Sequence, residues 1–457
     1  MKKRIILIVP ILCIVTLLFC NGRILLLNDT NRTGAKQKIY YENATPLVVK
    51  EGLVCEHKQS VKVFNNKGEK VATINMGEPI IVVQAEGEEP WGNFQFPLIS
   101  RTEDNNLLVS WQMCEDSYKS YGKGKGGKMM SRDEGCTWTE LDKVYFSRGR
   151  YAVDLPDGTI LNVSTPVAKE INNFVEFPKA ELNKMSRFGF YEESKLPEEL
   201  RGVYFQSYDI NIKKYSRFHA EVFDPGLLRH SIDGKCIVMW WGDMKLLCDN
   251  SIVAGIYPTY YKNTRDSVSR SAVSFYNSVD NGLHWKLLSK IPFPNEDDWD
   301  AYVFNGYDGF AEPVFEILKD STFICILRTG DKTPMYKTFS ADKGRHWTTP
   351  ESFTPNGVLP RLLLLDNGVL VLSSGRPGVQ LRFSIEGDGK VWTEPIDLLP
   401  IMGKNNQPDY FGVSCGYTSM IAVNANTFYI VYSNFISQSK KGENRKAIMF
   451  RKIEIRK

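Results

Sequence analysis

Histidine is scarce in this 457-residue chain, and the five copies, at positions 57, 219, 230, 284 and 346, form no cluster with zinc-ligand spacing. A catalytic transition metal is therefore not expected, nor any other cofactor. Two of the nine cysteines fall within the first 20 residues. The rest, Cys55, Cys114, Cys136, Cys236, Cys248, Cys325 and Cys415, are scattered singly without a CxxC pair, which argues against a disulfide framework. Charge of one sign is also lacking: the formal net charge is +4, and no Lys/Arg block alternates with aromatics along a stripe that could follow phosphates. Nucleic acid is not an expected partner. Beyond the N-terminus no run is long and apolar enough to span a membrane. What the chain does have is 12% aromatic residues, 35 Gly and 22 Pro, a composition suited to many short strands joined by tight turns.

The first residues, Met1-Lys-Lys-Arg4 followed by an apolar run from Ile5 to Phe19, read as a charged n-region and an h-region. Residues 1–20 are thus expected to be a signal peptide or a lipoprotein signal, and the protein to be exported to the periplasm or the cell surface. Cys20 ends the run and is the residue a lipoprotein route would modify, although bulky Phe19 stands where a small residue is usual. Ordinary cleavage, or an anchor prolonged by Ile24 to Leu27, are the alternatives. Membrane contact is expected only through such a lipid or anchor. No feature specifies an oligomeric state.

One phrase recurs four times: Ser131-Arg-Asp133-Glu-Gly135-Cys-Thr-Trp138, Ser278-Val-Asp280-Asn-Gly282-Leu-His-Trp285, Ser340-Ala-Asp342-Lys-Gly344-Arg-His-Trp347 and the looser Ser384-Ile-Glu386-Gly-Asp388-Gly389-Lys-Val-Trp392. Its Ser and Asp can bond nearby amides in a tight turn, its Gly allows a positive φ, and its Trp anchors the turn. Six hairpin patterns accompany it, turning near Asp104, Asp157, Asp233, Asp320, Asn367 and Asn424 between apolar runs. Four are followed by the repeated phrase. The count predicts six four-stranded units in radial repetition, with the phrase leading into the outermost strand. The third unit's innermost strand is expected around Glu221 to Asp224. Residues 21–92 read as an extension that closes or covers the ring, residues 93–457 as the ring, and Phe174 to Arg217 as a long loop in a degenerate second unit.

The repeated phrase is an Asp-box, and the chain resembles the sialidase superfamily. The resemblance implies an all-β, six-bladed β-propeller and an exo-acting retaining glycosidase whose nucleophile is a tyrosine. Cys415-Gly-Tyr417-Thr-Ser419 is similar to the stretch that carries that nucleophile. Gly309-Phe-Ala-Glu312-Pro-Val resembles the segment of its partner base, followed after one hairpin by Arg328. Arg376 matches a second arginine of the carboxylate-binding triad, and Asp116 lies in the loop of the acid/base residue. Where the family has Phe-Arg-Ile-Pro, this chain reads Phe94-Gln95-Phe96-Pro97, so a triad arginine is a glutamine. Losing one charge-assisted bond removes about 1.5 to 3 kcal/mol of binding. Arg101, roughly 20 Å along the strand, cannot replace it, whereas Arg150 or Arg148 could supply charge from the side. Arg382 reads as a solvated strand residue.

The expectation is therefore a hydrolase of terminal sialic acid or a related acidic sugar, with Tyr417, Glu312 and Asp116 catalytic and Arg328, Arg376, Gln95 and Arg150 binding a glycan. The alternatives are a carbohydrate-binding propeller without catalysis, or a non-sialic glycosidase or lyase on the same fold.

Overall fold

The computed structural model describes residues 55–142, 145–146, 148–174, 188–262, 268–293, 309–401 and 407–457, with the backbone of 48–50. The expected export segment and Cys20 lie outside them. The described residues belong to one compact unit, Tyr40–Lys457.

The fold is all-β, helical structure among the described residues being confined to short 3₁₀ turns. Antiparallel sheets follow one another along the chain. The first comprises Asn93–Arg101, Leu107–Met113 and Gly126–Ser131. Val153–Asp154, Thr159–Ser164, Val203–Asp209 and Lys214–Phe223 form the second set, and Trp241–Leu246, Ile252–Thr259, Ala272–Ser278 and His284–Ile291 the third. A parallel pairing of Glu221–Phe223 with His284–Lys286 joins these two into eight strands. Ala311–Ile317 to Glu351–Thr354 and Val358–Leu364 to Ile396–Leu399 are four-stranded sheets. The last is built on Thr418–Asn424, Thr427–Gln438 and Asn444–Arg456; both Lys70–Met76 and Ile80–Gln84 pair with Asn444–Arg456.

The opening strands of successive sheets touch in chain order. Val153–Asp154 meets Trp241–Leu246, which meets Ala311–Ile317, then Val358–Leu364, then Thr418–Asn424, which returns to Asn93–Arg101. Ahead of the second set, the Arg150 guanidinium donates to the carbonyls of Phe96 and Pro97 in the first sheet and of Thr418 in the last, at 3.1, 2.9 and 2.8 Å, and Tyr208 of the second set donates to Glu103 beside the first.

The repeated phrases occupy the turns that leave the third strands of the first, third, fourth and fifth sheets. In the third copy Ser340 Oγ donates to Asp342 Oδ1 (2.8 Å) and accepts from Gly344 N (2.9 Å), Asp342 Oδ1 accepts from His346 N (2.8 Å), and Trp347 Nε1 donates to Gly344 O (3.2 Å). Gly344 has φ +83°, a conformation costly for a side chain. The same bonds recur around Asp133 and Asp280, and a looser set around Asp388. The tryptophans then fill the space between sheets, Trp285 being fully buried against Phe205 and Trp240.

Three expectations need correction. Phe174 to Arg217 is not one long loop of a degenerate unit: among its described residues Phe188–Glu192, Val203–Asp209 and the start of Lys214–Phe223 are strands, and the second set is four-stranded. The hairpin at Asp233 does not belong to the sheet series. With Lys169–Glu170 and Phe188–Glu192 it makes a separate four-stranded sheet, while the third set turns at Asp249 and Asn250. Glu221 to Asp224 consequently lies at the outer strand of the second set, and the innermost position of the third is taken by Trp241–Leu246. Both hairpins carry an Asp turn between apolar residues, so local pattern could not rank them; pairing did. Arg382 is buried, not solvated, with Nη1 3.4 Å from Thr393 O.

Asp397, on the last strand of the fifth sheet, is buried with its carboxylate accepting from Gln380 Nε2 at 2.8 Å. Burial pushes its pKa up to about 6, above the roughly 3.9 of an unfolded aspartate. The folded chain therefore binds more protons between these values, and stability falls as pH rises through this window. Asp397→Asn is expected to stabilise the protein by about 2 kcal/mol at pH 7 and by little at pH 4. Urea unfolding at both pH values checks this; equal gains would contradict it.

Candidate active site

Tyr417 opens the last sheet from a segment pinned by serines: Cys415 N donates to Ser433 Oγ (3.1 Å) and Gly416 N to Ser414 Oγ (2.9 Å). Gly416 has φ +81°, and a Cβ on Gly375 would come within 2.3 Å of Gly416 Cα. Only two glycines back to back let the chain carrying Tyr417 lie this close to the one carrying Arg376.

A recurrent bulge aims the neighbouring residues. Phe96, Glu312 and Leu359 each have φ between +36° and +52° and each precede a proline, at points where the opening strands of the first, fourth and fifth sheets slip in register. A bulge re-aims a strand, and proline follows it without loss of a ladder donor. Positive φ on residues other than glycine costs about 1 to 3 kcal/mol each, which the surrounding packing must offset.

Glu312 is thereby brought between two sheets. Its Oε2 accepts the Leu359 amide at 2.7 Å, and its Oε1 accepts both the Tyr417 hydroxyl and Arg328 Nη1, the latter at 2.5 Å. Arg328 Nη1 also lies 3.2 Å from Tyr417 Oη. The Arg328 side chain is 0% exposed and that of Glu312 2%, so this is a buried ion pair. Arg376 donates through Nε to Cys415 O at 3.0 Å, and its guanidinium lies 5.1 to 5.7 Å from the ring centres of Phe411, Trp91 and Tyr417.

Asp116 stands at the rim, its Oδ2 3.4 Å from Trp91 Nε1. Solvent reaches it, yet the protein packed around it raises its pKa above the usual aspartate value. Desolvation is the main cause, and it outweighs the Trp91 bond and the attraction of Arg376.

Tyr417, Glu312, Arg328, Arg376 and Asp116 thus belong to one cluster. Gln95 does not share its polar contacts: it is 0% exposed, and neither amide atom has a hydrogen-bond partner among the described residues. Arg150 is occupied by backbone carbonyls and, with Phe96, Trp111 and Lys128, lines a cavity of about 330 Å³. Arg148 pairs with Asp154, and Arg101 with Glu134 in the turn of the first repeated phrase.

Three residues of the cluster were missed from sequence. Asp331, three positions after Arg328, accepts through one oxygen from Arg328 Nη2 (2.8 Å) and Arg376 Nη1 (2.6 Å). Trp91 and Phe411 form an edge-to-face pair, ring centres 5.7 Å apart, while remaining 41% and 44% exposed. An open aromatic pair beside a carboxyl suits stacking against a sugar face. A sequence signal existed for Trp91, a tryptophan directly before the first opening strand. None existed for Phe411 or Asp331. Among the described residues no group of three or more His, Cys, Asp or Glu could hold a metal ion.

No family model matches this chain, and no curated protein matches it in sequence. Solved structures do resemble it in fold. A Dyadobacter fermentans protein of unknown function aligns with TM-score 0.58 at 16% identity, over 84% of this chain and 99% of its own. The Hadza microbial sialidase Hz136 aligns at 0.48 and 14%, over 87% and 74%. A Penicillium chrysogenum alpha-L-arabinanase, solved with arabinobiose, aligns at 0.44 and 14%, over 82% and 98%.

Proposed function

We propose that the protein is an exported, exo-acting, retaining glycoside hydrolase on a six-bladed propeller. The observation that carries this reading is the hydroxyl of Tyr417 donating to the buried carboxylate of Glu312, with Arg328 against both. Glu312 accepts the phenolic proton as Tyr417 Oη attacks the anomeric carbon. Arg328 stabilises negative charge on that oxygen. Asp116, kept protonated to higher pH by its surroundings, donates to the departing oxygen. Water, deprotonated by the now ionised Asp116, then attacks the anomeric carbon, the glycosyl–tyrosine bond breaks, and Glu312 returns its proton to Tyr417 Oη. Trp91 and Phe411 supply a face for the sugar beside Asp116.

Sialic acid or a related acidic sugar is the substrate that the resemblance implies, with Arg328 and Arg376 as its clamp. That pair is already bridged by Asp331, which favours a second reading: a glycosidase for a non-sialic sugar.

Incubation with sialylated, uronic and neutral oligosaccharides, followed by identification of the released monosaccharide and its first-formed anomer by NMR, tests the proposal. Release with retention is expected. No release, or an unsaturated product absorbing in the near ultraviolet, would overturn it. With Asp116 as the acid, kcat/KM falls as pH rises through its raised pKa, and Asp116→Asn is expected to remove that alkaline limb while lowering the rate about 10²- to 10⁴-fold.

A further inference from the structure

Two guanidinium groups converging on one point make a seat for a carboxylate, since each directs N–H donors and positive charge at it. Here the seat is already taken from within the chain. Asp331 Oδ1 accepts from Arg328 Nη2 at 2.8 Å and from Arg376 Nη1 at 2.6 Å. The loop that presents it is braced: buried Thr329 Oγ1 lies 2.8 Å from Thr333 Oγ1 and donates to Pro334 O at 2.6 Å. Lys332, next to Asp331, lies over the Tyr410 ring at 5.0 Å. Both arginines have other carboxylate or carbonyl partners as well, Arg328 in Glu312 and Arg376 in the Cys415 carbonyl.

We infer that Asp331 is a specificity-determining internal counter-ion, which makes this pocket select a neutral terminal sugar over one bearing a carboxylate. This rests on reading the Tyr417 cluster as the glycosidic site. The charge count supports it. Arg328 and Arg376 bring two positive charges, and Glu312 and Asp331 two negative ones, within a single hydrogen-bonded network. A substrate carboxylate entering that network adds an uncompensated negative charge beside Asp331, and burial makes such repulsion costly. A hydroxyl adds none. Asp331 Oδ2, which has no hydrogen-bond partner among the described residues, is free to accept from it. The fully buried amide of Gln95 agrees with this, because it brings no third positive charge that would restore a net attraction for acids.

The test compares binding, so that it does not depend on turnover. Calorimetry with N-acetylneuraminic acid and with its neutral carboxyl methyl ester is run on the wild type, Asp331→Asn and Asp331→Ala, each checked for folding by thermal unfolding. The wild type is expected to bind the acid no better than the ester. Both variants are expected to bind the acid at least about tenfold more tightly than the wild type, with the ester changed by less than about threefold. Asp331→Asn keeps the shape of the side chain and carries the comparison if Asp331→Ala fails to fold. A wild type that binds the acid more tightly than the ester, or variants that gain nothing for the acid, would overturn the inference. Absence of hydrolysis in the oligosaccharide panel would instead sink the glycosidase reading and leave the binding comparison intact.

Discussion

Tyr417→Phe is expected to lower kcat on any responsive glycoside at least about a thousandfold while leaving the protein folded. The substitution removes one oxygen, the atom that bonds to Glu312 and faces Arg328 Nη1. Without it the glycosyl group has no acceptor, and a phenyl ring cannot replace it. The loss in stability should be small, about 0.5 to 1.5 kcal/mol, because Glu312 retains Arg328 and the Leu359 amide. Glu312→Gln should be similarly damaging, since an amide cannot take the phenolic proton. The double variant should be hardly worse than either single one, as expected of residues that act as a unit. Steady-state kinetics on the three variants with circular dichroism as the folding check decides the matter. Turnover like that of the wild type in either single variant would exclude Tyr417–Glu312 chemistry.

Arg328→Met should be the most destabilising single change in the site, costing about 3 to 5 kcal/mol. Methionine fills much of the volume, so the effect comes from charge. Glu312 would remain buried with its carboxylate deprived of its cation, and Asp331 would keep only Arg376. Adding Glu312→Gln to Arg328→Met should restore most of the loss, because the uncompensated charge is then gone. Guanidinium unfolding of the two variants reads this directly. A loss below about 1 kcal/mol in the single variant, or no recovery in the double, would mean that Glu312 and Arg328 do not act as a buried ion pair.

The repeated phrases were legible because each is local. Ser340, Asp342, Gly344 and Trp347 satisfy one another within eight residues, so the pattern in the chain is the pattern in space. The hairpin at Asp233 misled for the same reason seen from the other side: its Asp-Gly sequence reads like the turns of the main series, but its two-residue turn has positive φ at both Asp233 and Gly234, and its strands pair with Lys169–Glu170 and Phe188–Glu192. Glu312 and Tyr417 could be singled out through the resemblance of their segments. A physical signal also lay in the chain unread, a bulky residue before proline at the start of an opening strand, as at Phe96, Glu312 and Leu359. Asp331 had no such signal. Nothing in Arg328-Thr-Gly-Asp331 says that the carboxylate turns back onto its own arginine and onto another 45 positions further on.

What the sequence by itself determined is the strand-rich composition, the turns and the residue types available for chemistry, because these depend on side chains within one turn or one hairpin. The tertiary structure alone decided which strands share a sheet, and that Arg328 and Arg376 meet over Asp331 while Gln95 is shut away. Those outcomes depend on contacts between segments tens to hundreds of residues apart, where packing and the compensation of buried charge select the partners.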